Sequence, residues 1–245
     1  MPALNRKGPR QNGHELVTRE HPKSAIAEAY RTLRTNLGFT SPDRALRLLL
    51  VTSSGPEEGK TTTVCNLAVV LAQAGHRVLL VDCDLRKPRV HHVFSLPNLR
   101  GFTNLLLQEI DLGEVLKPGP VDGLSILTSG PLPPNPAELL DSQRARALWP
   151  VLAGSFDYVL VDSPPVLAVA DATILATSMD GVILVIRAGI TRIDAVQNAV
   201  EQLKRADARL IGTVLNRVSV QGGDYRYYYY YHGESTKQQQ QQIQL

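Results

Sequence analysis

Short runs of leucine and β-branched residues, apolar at every position rather than at alternate ones, recur along this chain with helix-length segments between them. A strand without a polar side must be covered on both faces, which is the situation of a parallel sheet sandwiched between helices. Strands are predicted at Arg47–Thr52, Arg77–Val81, Leu124–Thr128, Tyr158–Val161, Val182–Ile186 and Leu210–Leu215. Helices are predicted at Ser24–Leu37, Lys60–Ala74, Pro136–Leu152, Asp171–Thr177 and Asp194–Ala206. The fold class is therefore α/β, a doubly wound and mostly parallel sheet.

Composition narrows the classes further. The chain has 245 residues, 43% of them hydrophobic, so it can bury a sizeable core. Up to Arg47 there are nine Lys/Arg against four Asp/Glu, leaving the first fifth near +5 and the remainder near −2 of the net +3. That balance gives no footprint for nucleic acid. Cys65 and Cys83 lie in apolar runs without metal-ligand spacing, which suits a reducing compartment. No apolar run approaches the length of a bilayer span, and the polar start has no hydrophobic segment behind it. The organisation expected is a flexible basic arm over 1–20, one domain over 21–218, and a flexible tail over 219–245 rich in tyrosine and glutamine.

The first strand runs into Ser54-Gly55-Pro56-Glu57-Glu58-Gly59-Lys60-Thr61-Thr62, and a helical pattern begins at once. Strand, loop and helix in that order make a phosphate loop: backbone N–H groups wrap phosphate oxygens at a helix N-terminus, Lys60 reaches the β and γ phosphates, and the Thr61 hydroxyl ligates Mg²⁺. Ser54 stands where the generic motif has its first glycine, which requires backbone angles open to any residue. The second strand ends in Asp82-Cys83-Asp84-Leu85-Arg86 and the fourth in Asp162-Ser163-Pro164-Pro165. Ligands of such sheets bind beyond the carboxyl ends of the strands, so these aspartates are expected to face the phosphate site. Mg²⁺ takes hard oxygens, and Thr61, Asp84 and Asp162 are its candidate ligands. Lys60, Asp82, Asp84 and Asp162 are the candidate catalytic residues, with Asp82 favoured as proton acceptor.

Together these motifs resemble the bacterial tyrosine kinases of capsule and exopolysaccharide synthesis, whose first motif also lacks the initial glycine. The likeness extends from about Pro22 to His232 and includes Ser129-Gly130 and Pro133-Pro134-Asn135-Pro136-Ala137-Glu138-Leu139-Leu140. The resemblance implies a P-loop fold of the deviant, partition-ATPase-like group, ATP and Mg²⁺ as cofactors, and Asn216 near the adenine. Glu57 stands where relatives often show glycine. Six of the eight tyrosines, Tyr225, Tyr227, Tyr228, Tyr229, Tyr230 and Tyr231, form a cluster that the resemblance marks as the autophosphorylated substrate.

On the first helix, Ile26, Tyr30, Leu33 and Leu37 are spaced to form one apolar face. Glu28, Arg31 and Arg34 project from another, in the pattern of the family's subunit contact, which implies a homo-oligomeric ring. The resemblance also implies a separate membrane activator and a cytoplasmic location against the inner face of the membrane. Two other readings compete: a partition or cell-division ATPase, and a nucleotide-dependent adaptor of an export complex. The ATPases carry an extra lysine where this chain has Gly55, and neither alternative requires a tyrosine cluster. A GTPase is disfavoured because Asn216 is followed by Arg217 rather than by the base-reading motif.

Overall fold

A computed structural model describes residues 16–40, 46–108 and 110–218. Seven strands form one sheet: β1 Leu48–Ser53, β2 Val78–Asp82, β3 Lys117–Pro118, β4 Leu124–Leu127, β5 Tyr158–Asp162, β6 Gly181–Arg187 and β7 Leu210–Asn216. Their order is β3-β4-β2-β5-β1-β6-β7, and every pairing is parallel except that of β3 with β4. The helices are α1 Val17–Glu20, α2 Ala25–Thr40, α3 Lys60–Gln73, α4 Val90–Val93, α5 Phe102–Leu107, α6 Leu112–Val115, α7 Pro136–Asp141, α8 Gln143–Ser155, α9 Asp171–Ala176 and α10 Ile193–Arg205.

The two faces of the sheet explain the unbroken apolar runs. Leu48 and Leu50 of β1 and Val159 and Val161 of β5 enter one core, with Trp149 of α8 and Phe102 of α5. Leu49, Val51 and Leu160 enter the other, built on α3 and reached by Leu37 of α2. Successive side chains of a strand point to opposite faces, so a sheet with two dry faces needs an apolar residue at each position. Each such side chain contributes about 1.5–3 kcal/mol of burial. Because the central strands are parallel, their carboxyl ends share one edge. The chain leaves β1 through α3 to reach β2 on one side and returns from β5 to β6 on the other, opening a crevice at that edge.

Several expectations change. Pro136–Leu152 is not one helix: Ser142 is extended with ψ 152°, and its hydroxyl accepts from the Ala145 N–H, capping a separate α8. Leu16 and Thr18 are buried, and the N–H and hydroxyl of Thr18 both donate to Asn66 Oδ1 on α3, so the expected arm boundary at residue 20 falls inside packed structure. Ile26 is 59% exposed, whereas Ala27 is fully buried. The buried stripe of α2 therefore starts at Ala27 and continues through Tyr30 and Leu33 to Leu37.

Candidate functional site

Five adjacent strands deliver the site from their carboxyl ends. After β1 the loop 54–59 closes onto α3, whose N-cap Gly59 is left-handed with φ 96°. A Cβ on Gly59 would lie 2.0 Å from Asn216 Nδ2, so angle and space both demand glycine there. Ser54 keeps an ordinary negative φ, which explains why serine serves where the generic motif has glycine. Glu57 does adopt a left-handed φ of 61° without being glycine.

Glu58 ties the loop together. The Ser54 N–H donates to its Oε2 at 2.9 Å, the Thr191 hydroxyl donates to its Oε1 at 2.7 Å, and Asn216 Nδ2 donates to its carbonyl at 2.9 Å. The loop is thus braced from the β6–α10 connection and from the end of β7. Asn216, which the resemblance links to adenine, here supports the phosphate loop from behind.

The acids divide by role. Asp82 and Asp162 sit directly across from each other on β2 and β5, both without exposure. Asp82 Oδ1 accepts the Asp84 N–H at 3.2 Å, and Oδ2 accepts the N–H groups of Arg89 and Val90 at 3.1 and 3.0 Å. Burial, followed by the charge of Asp162, holds the Asp82 carboxyl well above the usual range. Lys60 Nζ lies 2.8 Å from Asp84 Oδ2 and 3.7 Å from Asp162 Oδ1. Burial alone would lower the Lys60 ammonium, yet the charges of Asp162 and Asp84 prevail and raise it. The Thr61 hydroxyl donates to Asp162 Oδ2 at 2.6 Å. Burial pushes Asp162 up to about 6, against the pull of Lys60 and Thr61.

All three carboxylates act on Lys60, Asp84 and Asp162 within ion-pair distance and Asp82 through its charge alone. Asp82 has turned into its own loop, and among the described residues no trio of acidic, histidine or cysteine side chains makes a metal cage. Thr61, Asp84 and Asp162 do converge on Lys60. Asp162 Oδ1 is buried without a hydrogen-bond partner, as is Ser54 Oγ on the loop. Hard oxygens, an orphaned carboxylate oxygen and a glycine-bound phosphate loop fit Mg²⁺, which keeps most of its waters and takes one or two carboxylates beside phosphate. The donor set thus suits a magnesium nucleotide.

Two contributors were not visible in sequence as site residues. Thr191 lies in a strand-to-helix connection with no motif around it. Asp171 reads as a helix start, but its carboxylate is fully buried and grips Arg86. Arg86 is therefore engaged by Asp171 through two hydrogen bonds. Glu28 and Arg31 pair within α2, Arg31 also donates to the Pro22 carbonyl at 2.7 Å, and Arg34 donates to the Val70 carbonyl of α3 at 3.1 Å. The tyrosines Tyr225 to Tyr231 lie outside the described residues.

A family profile described as an AAA domain matches residues 55–215. Tyrosine-protein kinase YwqD of Bacillus subtilis (strain 168) is 45% identical over 201 residues, covering 82% of this chain and 85% of that protein. The kinase domain of the Escherichia coli tyrosine kinase ETK superposes with a TM-score of 0.79 at 31% identity, covering 91% of this chain and 88% of that one. The crystal structure of the chimerical protein CapA2B2 gives a TM-score of 0.80 at 39% identity, covering 83% and 89%. With a phosphate loop, two aspartate-bearing strand ends and relatives that cover most of its length, this chain belongs to the bacterial tyrosine kinases.

Proposed function

We propose that the chain transfers the γ-phosphoryl group of Mg·ATP to tyrosine hydroxyls, its own C-terminal cluster first, and so regulates the making or export of a surface polysaccharide. The single observation that carries this reading is the convergence of Lys60, Thr61, Asp84 and Asp162 at the phosphate-loop edge, in a chain that carries five consecutive tyrosines from Tyr227 to Tyr231. Phosphoryl transfer asks for little covalent chemistry from the protein, so positioning and charge neutralisation dominate. Mg·ATP supplies the transferable group and a divalent charge. Loop N–H groups other than that of Ser54, which Glu58 holds, and Pro56, which has none, would bind phosphate oxygens, and Lys60 would leave Asp84 to meet them. Thr61, Asp84 and Asp162 would hold the metal. Asp82 accepts the tyrosine proton, for which Oδ2 must first be released by the Arg89 and Val90 N–H groups.

Fifteen residues separate Asn216 from Tyr231, about 50 Å when extended, so reach alone allows transfer within or between subunits. Full modification adds roughly −9 to −12 charges to the tail. Replacing Tyr225 and Tyr227 to Tyr231 by phenylalanine abolishes self-labelling by Mg·ATP and leaves nucleotide affinity as in the parent. Undiminished labelling of that variant contradicts the tail as substrate.

The same reading includes a ring of subunits joined through α2, an activator held in the membrane, and work at the inner membrane face. Among the described residues no helix is long and apolar enough to cross a membrane. Arg31 and Arg34 already bind within their own chain, so their part in assembly is to fix α2 as well as to meet a neighbour. Arg31→Ala/Arg34→Ala lowers the mass in solution of the unphosphorylated chain toward the monomer. Equal masses at every phosphorylation level refute the α2 contact.

A further inference from the structure

The sheet ladder places Asp82 and Asp162, which face each other across β2 and β5. It ties Asp84 only by the backbone, whose N–H donates to Asp82 Oδ1 at 3.2 Å. That residue lies two positions beyond the end of β2, and its location depends on the turn 83–89. Most of the turn folds back on its own strand: the Lys87 N–H donates to Asp84 Oδ1 at 3.0 Å, and the Arg89 and Val90 N–H groups donate to Asp82. Toward β5, the Cys83 N–H donates to the Asp162 carbonyl at 2.9 Å, which fixes only the base of the turn.

The tip is fixed by Arg86. Its Nε and one terminal nitrogen each donate to a different oxygen of Asp171 at 2.9 Å, a side-on fork that constrains direction as well as distance. Asp171 opens α9, nine residues past Asp162 on the same connection, and is 0% exposed. A buried carboxylate needs such a partner, because a charge taken out of water is strongly disfavoured unless it is paired. A purely architectural pair could sit anywhere along α9. This one closes a ring from Asp84 through Arg86 and Asp171 back to Asp162, and Lys60 Nζ reads the gap at 2.8 and 3.7 Å from the two acids.

We propose that Asp171, acting through Arg86, is a positioning residue that sets the span between Asp84 and Asp162 and thereby fits the site to a divalent cation. The inference rests on the magnesium-nucleotide reading above. Groups that orient metal ligands from behind typically shift metal affinity 10–100-fold when altered. Arg86→Lys keeps the charge and loses the fork; Asp171→Asn keeps the shape and loses the charge.

The experiment is calorimetric titration of the full chain with ADP, with Mg²⁺ and with the metal chelated. The parent binds ADP more tightly with Mg²⁺. Both variants bind ADP as the parent does in chelator and lose about 10–100-fold of the magnesium-dependent gain. A gain equal to the parent's, or an equal loss with and without Mg²⁺, overturns the positioning role. Where Asp171→Asn unfolds, Arg86→Lys carries the test, since it leaves a cation over the buried acid. A parent without any magnesium-dependent gain overturns the magnesium reading itself and is recognised before either variant is compared.

Discussion

Asp162→Asn is expected to melt at a higher temperature than the parent at pH 7.5 and to transfer at least about 100-fold less phosphate. The stabilising sign follows from the direction of its pKa. Burial raises the Asp162 carboxyl from 3.8 to about 6, so the folded state holds a proton that the unfolded chain has released. Below about pH 4 both states are protonated and there is no penalty. As the pH rises from 4 to 6, stability is lost, and above 6 the full penalty of roughly 2–3 kcal/mol remains. Asparagine removes that charge, while its amide oxygen can still accept the Thr61 hydroxyl. For a domain of this size the gain is on the order of 5 °C, present at pH 7.5 and vanishing by pH 4. Loss of transfer follows because the orphaned Oδ1 is no longer anionic. A melting temperature equal to or below the parent's at pH 7.5 contradicts the account of this acid.

Lys60→Met changes stability in the opposite direction. Lys60 is the cation in direct contact with Asp84 and Asp162, and removing it leaves the buried carboxylates uncompensated. Breaking a buried pair from one side costs about 3–5 kcal/mol. Transfer falls by about 10²–10³-fold or more, the scale for loss of a preorganised group that stabilises developing charge. The two variants also test each other: in Lys60→Met/Asp162→Asn much of the lost stability returns, because the excess negative charge is reduced, and activity does not. Thermal melts of the four proteins measure this coupling. A Lys60→Met protein as stable as the parent refutes a site whose acids are balanced by the lysine.

The legible part of the fold is the part whose signal is local. Leu48 to Val51 is apolar because both faces are dry, and Gly59-Lys60-Thr61 follows on the same strand-to-helix connection; pattern and motif lie within fourteen residues. The same holds for Asp82 and Asp162 at the ends of β2 and β5. Short elements escaped: α4 and α6 have four residues each and β3 has two, too few for any period to develop. The break at Ser142 was hidden because the apolar pattern continues across it.

Long-range pairs escaped for a different reason. Arg86 meets Asp171 across 85 positions, and Thr191 meets Glu58 across 133. Both pairings depend on strand order in the sheet, which no window of sequence contains. The turn of Asp82 into its own loop belongs here too, since acids following strands give no indication of which will be consumed by backbone N–H groups.

The most direct test incubates the purified chain with Mg·ATP and maps every phosphorylated residue by mass spectrometry, with Lys60→Met in parallel. Phosphate is expected on tyrosines between Tyr225 and Tyr231 in the parent and on none of them in Lys60→Met. Phosphate confined to serines, or tyrosine labelling that survives the loss of Lys60, contradicts it.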